Sequence, residues 1–413
     1  MSTPHTLVGI DVGTTKVCAL IGEVGEGGAL QIVGVGVSPS RGLRKGNVVN
    51  VAETIAAIAA AVERAERISG YEIGRAYVSL AGEHVSALNS RGVVAITRSD
   101  HAIDQEHVER ALADAQAIAI PHNRQVIHII PRGYTLDGQE GVHSPTGMYG
   151  FKLEVEAHII TASAASVQNL AQCVRGAGVE VDEFVINPLA SGEAVLSPSE
   201  RNMGVVLADI GGGTTDIGIF IDGTLWHTAI LPVGGNQVTN DIAMGLRLPF
   251  DTAEAIKIEH GHALPDAVPS GATFSVKAFG DNGAQTISRR DLAVIISARV
   301  EEIFELILRE IKRSGYDSML PAGVVLCGGT SLLPGIRELG REVLGLPVRI
   351  ATPGDLSGLT DTLSSPAYAT SVGLLRWGMR EDTLVLRPHE RERVRRGLFS
   401  NRIKGVLKAL LPG

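Results

Sequence analysis

Along the first fifty residues apolar and polar positions alternate with a period of two. The runs TLVGID, KVCALIGEV and LQIVGVGVS are rich in β-branched residues and separated by glycine turns, and they predict three strands. At Val51 the period changes. Val51, Ile55, Ile58, Val62 and Ala65 recur at helical spacing, with Asn50 and Glu53 in a capping-box pattern before them and Gly70 as a stop, so a helix is expected over 51–69. From 75 to 160 the pattern is mixed. RAYVSLAG and GVVAIT read as strands, QEHVERALADAQAI as a helix, and QVIHIIP, RGYTLDG and FKLEVEAHIIT as strands. This stretch looks like a small α+β unit inserted in the chain, and the helix SVQNLAQCVRGAG leads back out of it. A second series opens near Gly204 with the strands GVVLADI, DIGIFID and TLWHTAILPV, then helices at NQVTNDIAMGL and TAEAIKI. A long helix is expected over 291–314, with Ser288 and Asp291 as its capping pair. Its apolar stripe is Leu292, Ile295, Ile296, Ile303, Phe304, Ile307, Leu308 and Ile311. AGVVLCGG then gives a strand, a glycine turn and another helix.

Length and composition narrow the class. A chain of 413 residues allows two or more domains at roughly 100–200 residues each. The 49 glycines cluster between apolar runs rather than in a low-complexity tract, which marks tight turns. Cys18, Cys173 and Cys327 have no metal-ligand spacing and fit small core residues in a reducing compartment. The N-terminal residues lack the basic flank and apolar stretch of a signal peptide, and no window of 18 apolar residues suits a membrane span.

Two turns carry candidate chemistry. DVGTTKV (11–17) and DIGGGTTDI (209–217) each place an Asp at the end of an apolar strand, then glycines and threonines. Glycine lets successive backbone N–H groups approach phosphate oxygens and form an anion nest; threonine hydroxyls add donors and Lys16 adds a point charge. An Asp beside polyphosphate is repelled unless a cation intervenes. Asp11 and Asp209 therefore point to Mg²⁺, held through water. One such turn alone reads as an ordinary hairpin; two in corresponding places read as a site. VVLCGGTSLLPGI (324–336) adds a strand–Gly328–Gly329–helix junction that would expose helix N–H groups to a flat or anionic ligand. No GxxxxGK[ST] loop occurs, and no GxGxxG opens a helix near the N-terminus.

In this order DVGTTK, DIGGGTTD and LCGGTSLLPG resemble the phosphate, phosphate and adenosine motifs of the actin, sugar-kinase and heat-shock-chaperone superfamily. Within it, SRGLRKGNVVN, VSLAGEHVSALNSRG, SPTGMYGFKLEVEAHIITAS, LPVGGNQVTNDIA and AEAIKIEHG resemble the FtsA family of bacterial cell-division proteins, over roughly 5–378. The resemblance implies an α/β, two-lobed actin-like (ribonuclease-H-like) ATPase fold with an inserted small α+β subdomain. It places the first lobe at 1–80 and 163–200, the insert at 81–162 and the second lobe at 201–380. A basic linker follows at 381–396, then an amphipathic membrane-targeting helix at 397–413. It also implies ATP and Mg²⁺ in the cleft. Asp11, Gly13, Thr14, Thr15 and Lys16 would meet phosphate and metal from one lobe, and Asp209, Gly211, Gly212, Gly213, Thr214 and Thr215 from the other. Gly234, Gly235 and Asn236 would line the sugar–phosphate side. Glu254 and Lys257, which share a helical face, would flank the ribose or adenine, with a surface ion pair as the plainer reading. Gly328, Gly329, Thr330 and Leu333 would bound the adenosine. The hinges match Ile186–Leu196 and Pro366–Leu375. The first hinge carries Asn187 where many actin-like proteins have Glu or Gln to orient water, so the expectation is a slow ATPase at most.

The tail stands apart. Residues 387–413 hold eight basic and two acidic side chains in a chain whose net charge is −8. Ser400 could cap a last helix. Phe399, Ile403, Val406, Leu407, Leu410 and Leu411 fall on one face of it, with Arg402, Lys404 and Lys408 on the other. That split suits an anionic membrane surface. Docking on the core or in a partner's groove is the alternative, and with no recognition fold nucleic acid is not expected. The resemblance implies a peripheral protein at the division site, on the cytoplasmic side of the cell membrane. There it would polymerise with itself, bind anionic lipids, tether FtsZ and recruit other division proteins. The rivals are a pilus-assembly actin-like ATPase and a small-metabolite kinase, for which no substrate pocket with a base is visible. A chaperone ATPase would need a further domain beyond Gly378.

Overall fold

The computed structural model describes residues 5–25, 28–97, 102–118, 120–277 and 284–380. The expected linker 381–396 and membrane helix 397–413 lie outside the described residues. The described residues divide into two compact units, one made of those up to Ser86 and from Ser163 to Arg380, the other of those within 87–162.

The larger unit holds two sheets built on one plan. In the first, the strands His5–Val12 and Lys16–Val24 form an antiparallel hairpin, and Arg75–Leu80 adds in parallel beside the first of them. In the second, Val205–Ile210 and Thr215–Ile221 form the hairpin, and Val324–Cys327 adds in parallel. Glu180–Ile186 and Leu30–Pro39 extend the first sheet, and Thr224–Leu231 and Val348–Ile350 the second. The central strands read as continuous apolar runs because both faces are covered. All of Val205–Ile210 is buried.

Helices do the covering. Val51–Ser69 begins where Asn50 accepts the Glu53 N–H and ends at Gly70, whose φ of 75° suits a residue without a Cβ. The long helix Arg289–Ser314 is capped by Ser288 on the Asp291 N–H. It buries Leu292, Ile296, Val300, Ile303, Phe304, Ile307 and Ile311 against the second sheet, while Ile295 and Leu308 sit at the margin of the stripe. Two short helices, Asn187–Val195 and Ala369–Gly378, pack so closely that a Cβ on Gly373 would overlap the Ala190 carbonyl oxygen.

The smaller unit has its own core. Strands ordered Val85–Ala95, Lys152–Ser163, Arg124–Leu136 and Gln139–Val142 carry the helix Gln105–Ala115 on one face. Val108, Leu112, Ile129, Leu153, Val155 and Ile159 are buried together there. The two strands expected at QVIHIIP and RGYTLDG are one strand of 13 residues. Pro131 removes one donor, but its fixed φ is close enough to extended backbone that the strand continues.

Candidate functional site

The four strand ends nearest the hairpin turns face a cavity of about 370 Å³ within the larger unit. The two turns close alike: Gly13 N–H donates to the Lys16 carbonyl at 3.0 Å, and Gly211 N–H to the Thr214 carbonyl at 2.9 Å. They also touch. A Cβ on Gly213 would stand 2.6 Å from Thr14 Oγ1, and one on Gly212 would strike Thr15 Oγ1. Glycine is required here by the close approach of the other loop, and the two turns together line one cavity.

Other loops brace the second turn. Gly235 N–H donates to the Gly211 carbonyl at 2.9 Å, Asn236 N–H to the Gly212 carbonyl at 2.7 Å, and Thr330 Oγ1 to the Gly211 carbonyl at 2.9 Å. Gly234 packs behind, on Gly211 and Gly212, and does not line the cavity. Thr215 is also outside the lining, fully buried with its hydroxyl on the Val233 carbonyl at 2.8 Å. Of the adenosine set, Gly328, Gly329, Thr330 and Leu333 all line the cavity. The expected helix start at the Gly-Gly pair is corrected: Gly329–Leu332 is a single 3₁₀ turn, and the helix begins at Ile336. Pro334 and Gly335, the latter with φ of 81°, delay it. Ile258, Leu332 and Leu333 supply an apolar wall.

Glu254 and Lys257 line the cavity as an ion pair. Lys257 Nζ lies 2.7 Å from Glu254 Oε2, 2.9 Å from Thr239 Oγ1 and 3.2 Å from the Gly235 carbonyl. The ammonium therefore ties the helix Phe250–His260 to the turn at Gly235 and also faces the cavity. Lys16 Nζ donates to the Ala367 carbonyl and stands 4.2 Å from the centre of the Tyr368 ring.

Three buried carboxylates face the same space. Asp11 accepts from Ser79 Oγ and Ser371 Oγ, each at 2.9 Å, and Asp209 accepts from Thr370 Oγ1 at 2.8 Å. Asp216 accepts from Thr214 Oγ1 at 3.1 Å and from Asn187 Nδ2 at 3.2 Å. Burial pushes Asp209 up from 3.8 to about 6, with the Asp11 charge adding to the rise against the Thr370 hydroxyl and the Lys16 charge. Asp216 is raised well above the ordinary carboxylate range, by burial first and the Asp209 charge second. The oxygens Asp216 Oδ1 and Asn187 Oδ1 are buried without a hydrogen-bond partner. Such an arrangement is costly unless something positive or donating is brought to it.

Sequence reading missed Asp216, Ser79, Thr370 and Ser371. Asp216 stood inside a motif already singled out. Hairpin pairing sets it opposite Asp209, but the other turn has Cys18 opposite Asp11, so comparing the two turns gave it no counterpart. Thr370 and Ser371 lay in the segment matched to a hinge and Ser79 in one matched to the family, but nothing marked their hydroxyls, since only the fold brings them to the carboxylates.

The donor set is a cradle for an anion rich in oxygen, with carboxylates for a cation and an apolar wall for a flat group. Among the described residues no three His, Cys, Asp or Glu side chains form a ready metal cluster. A cation here would complete its shell with water and anion oxygens. Nor is any described helix long and apolar enough to cross a membrane.

Known proteins resemble the chain in sequence and in fold. The family described as "Cell division protein FtsA" matches residues 206–373, "SHS2 domain inserted in FTSA" matches 82–161, and "Ethanolamine utilisation protein EutA" matches 156–255. The cell division protein FtsA of Pseudomonas aeruginosa is 45% identical over 91% of this chain and 90% of its own. Among solved structures, a PilM–PilN type IV pilus biogenesis complex aligns with a TM-score of 0.66 at 16% identity, covering 91% of this chain and 98% of that one. Spiroplasma citri MreB5 bound to ADP aligns with a TM-score of 0.51 at 14% identity, covering 89% and 94%. The fold is the two-lobed actin-like ATPase fold with a small inserted subdomain.

Proposed function

The chain belongs to the FtsA family of cell division proteins, and from that premise we propose that it binds ATP with Mg²⁺ in this cavity and acts as a nucleotide-dependent adaptor on the cytoplasmic face of the cell membrane. The observation that carries the nucleotide reading is the pair of glycine turns in contact across one cavity, each preceded by a buried carboxylate. These residues fit the group. The missing Cβ atoms would let a phosphate approach the turns' backbone beyond the Gly13 and Gly211 N–H groups that close them, and Asp11, Asp209 and the unpartnered Asp216 oxygen would hold the cation's side of the site. Spiroplasma MreB5, of the same fold, is a structure with ADP. Hydrolysis is slow in this reading, because Asn187 is neutral, short and hydrogen-bonded to Asp216.

Residues 1–80 with 163–200 and residues 201–380 serve as the two actin-like lobes, whose closure sets the surfaces for polymerisation. The insert at 81–162 is the family's own subdomain. Residues 381–396 serve as a basic linker and 397–413 as the membrane anchor. The polymer tethers FtsZ and recruits later division proteins. The tail's apolar face and basic partners support the membrane part. A pilus-assembly role has only a fold likeness behind it. The test is sedimentation of the full chain with anionic-lipid vesicles, with and without ATP, beside a version ending at Arg396. The full chain is expected to pellet with vesicles and the shortened one to stay in solution. Equal behaviour of the two would remove the anchor.

A further inference from the structure

The segment from Pro366 to Ser371 touches both lobes in alternation. The Pro366 carbonyl accepts from Gly328 N–H at 3.0 Å, on the second sheet's side, and the Ala367 carbonyl accepts from Lys16 Nζ, on the first. Thr370 then donates to Asp209 of the second sheet at 2.8 Å, and Ser371 to Asp11 of the first at 2.9 Å. The helix that carries these hydroxyls is seated on the first sheet. Gly9 admits Leu374, Gly22 admits Leu375, and Gly378 lies against Tyr77. Ser371 therefore acts on the sheet its helix is seated on, whereas Thr370 reaches the carboxylate of the other sheet. Both side chains are nine-tenths or more buried, so water does not compete for the two hydrogen bonds.

We propose that Thr370 and Ser371 are positioning residues for the two cation-binding carboxylates: from one turn of a helix seated on the first sheet, Ser371 orients Asp11 of that sheet and Thr370 sets where Asp209 of the second sheet stands relative to it. The inference rests on the nucleotide reading above. A divalent cation between two carboxylates from separate lobes is bound well only at one separation. Without a tie that separation would follow every change of lobe angle. Each hydroxyl donates to one oxygen and fixes the rotation of the carboxylate, leaving Asp209 Oδ1 on the side away from Thr370. Groups that orient metal ligands in this way commonly change metal affinity about 10–100-fold when removed.

The test uses the full chain and a fluorescent ATP analogue, titrated with Mg²⁺ and, separately, bound in EDTA. Thr370→Val keeps the volume and removes the hydroxyl. It is expected to raise the half-saturating Mg²⁺ concentration roughly tenfold, with binding in EDTA changed less than about twofold. Thr370→Ser should restore the wild-type value, and Ser371→Ala should shift it in the same direction. In an Asp209→Ala background, which removes the accepting oxygen altogether, Thr370→Val should add nothing further, since the two act through one contact. Loss of affinity by the same factor with and without Mg²⁺ would make the hydroxyl a packing group and overturn the inference, as would an unchanged Mg²⁺ dependence. If the wild-type chain itself bound the analogue in neither condition, the nucleotide reading would fall, and this inference with it.

Discussion

At the scale of single residues the site is set by carboxylates held where water is scarce. Asp209 titrates near 6 rather than 3.8 because burial disfavours its charged form. The folded chain thus binds this proton more tightly than the unfolded chain. Its favourable contribution is complete below the unfolded value and is lost as pH rises through about 6. At pH 8 the ionised group costs on the order of 3 kcal/mol, at about 1.4 kcal/mol per pKa unit. Asp209→Asn removes that cost and leaves an oxygen to accept from Thr370. Measured by calorimetry in EDTA, the variant is expected to melt higher than wild type at pH 8, by about 3 °C, and to gain far less at pH 4. On the proposed nucleotide reading, wild type should gain stability from ATP with Mg²⁺ and this variant should not. An equal gain at both pH values would show that the carboxylate's charge is not what destabilises the fold. Asp216, raised in the same direction, works with Asp209 and not against it.

Elements carry the next level, and here the sequence was most readable. The helices Val51–Ser69 and Arg289–Ser314 announced themselves through caps and stripes, and the hairpin strands through β-branched alternation ending at turns of aspartate, glycine and threonine. Local chemistry decides such features, so local reading finds them. It failed where a neighbouring residue overrides the expected signal, and where a distant partner decides. Pro131 did not end its strand, and the Gly328–Gly329 pair opened a 3₁₀ turn rather than a helix. Thr370 and Ser371 looked like ordinary helix residues until the fold put a carboxylate before each. The glycine turns show both sides of this. Their composition marked them as phosphate loops, but only the structure shows that each is the other's wall. Gly213→Ala tests the point. The new Cβ would meet Thr14 Oγ1 at 2.6 Å, Cγ2 at 3.0 Å and Cβ at 3.1 Å, so no rotation of Thr14 clears it and one loop must move. Nucleotide-analogue affinity is expected to fall by a factor of about ten or more, equivalent to about 1.4 kcal/mol. The melting temperature in EDTA should drop far less, because the hairpin strands on either side keep their pairing. A variant that bound normally would mean that the loops part without cost.

For the whole molecule, the informative feature is that the insert carries a core separate from those of the larger unit. The insert buries Leu112 and Leu153 with Val108, Val155 and Ile159 in a cluster of its own, while the larger unit buries a separate set under its second sheet. Two cores can open as two cooperative units if each supplies its own stability. Leu153→Ala distinguishes this from a single all-or-none transition. The side chain is fully buried, so its truncation is expected to cost about 2–5 kcal/mol in the unit that holds it. Hydrogen exchange on the full chain should show faster exchange at amides of 87–162 and unchanged protection in strands such as Val205–Ile210 and His5–Val12. Nucleotide-analogue affinity should stay at the wild-type value, since no residue of 87–162 lines the cavity. Loss of protection across both cores at once would mean that they unfold together. In that case the insert would be part of what holds the larger unit folded, and changes in it could not be made without disturbing the cavity. Independent opening would instead leave the insert free to change its surface for new partners while the larger unit is kept.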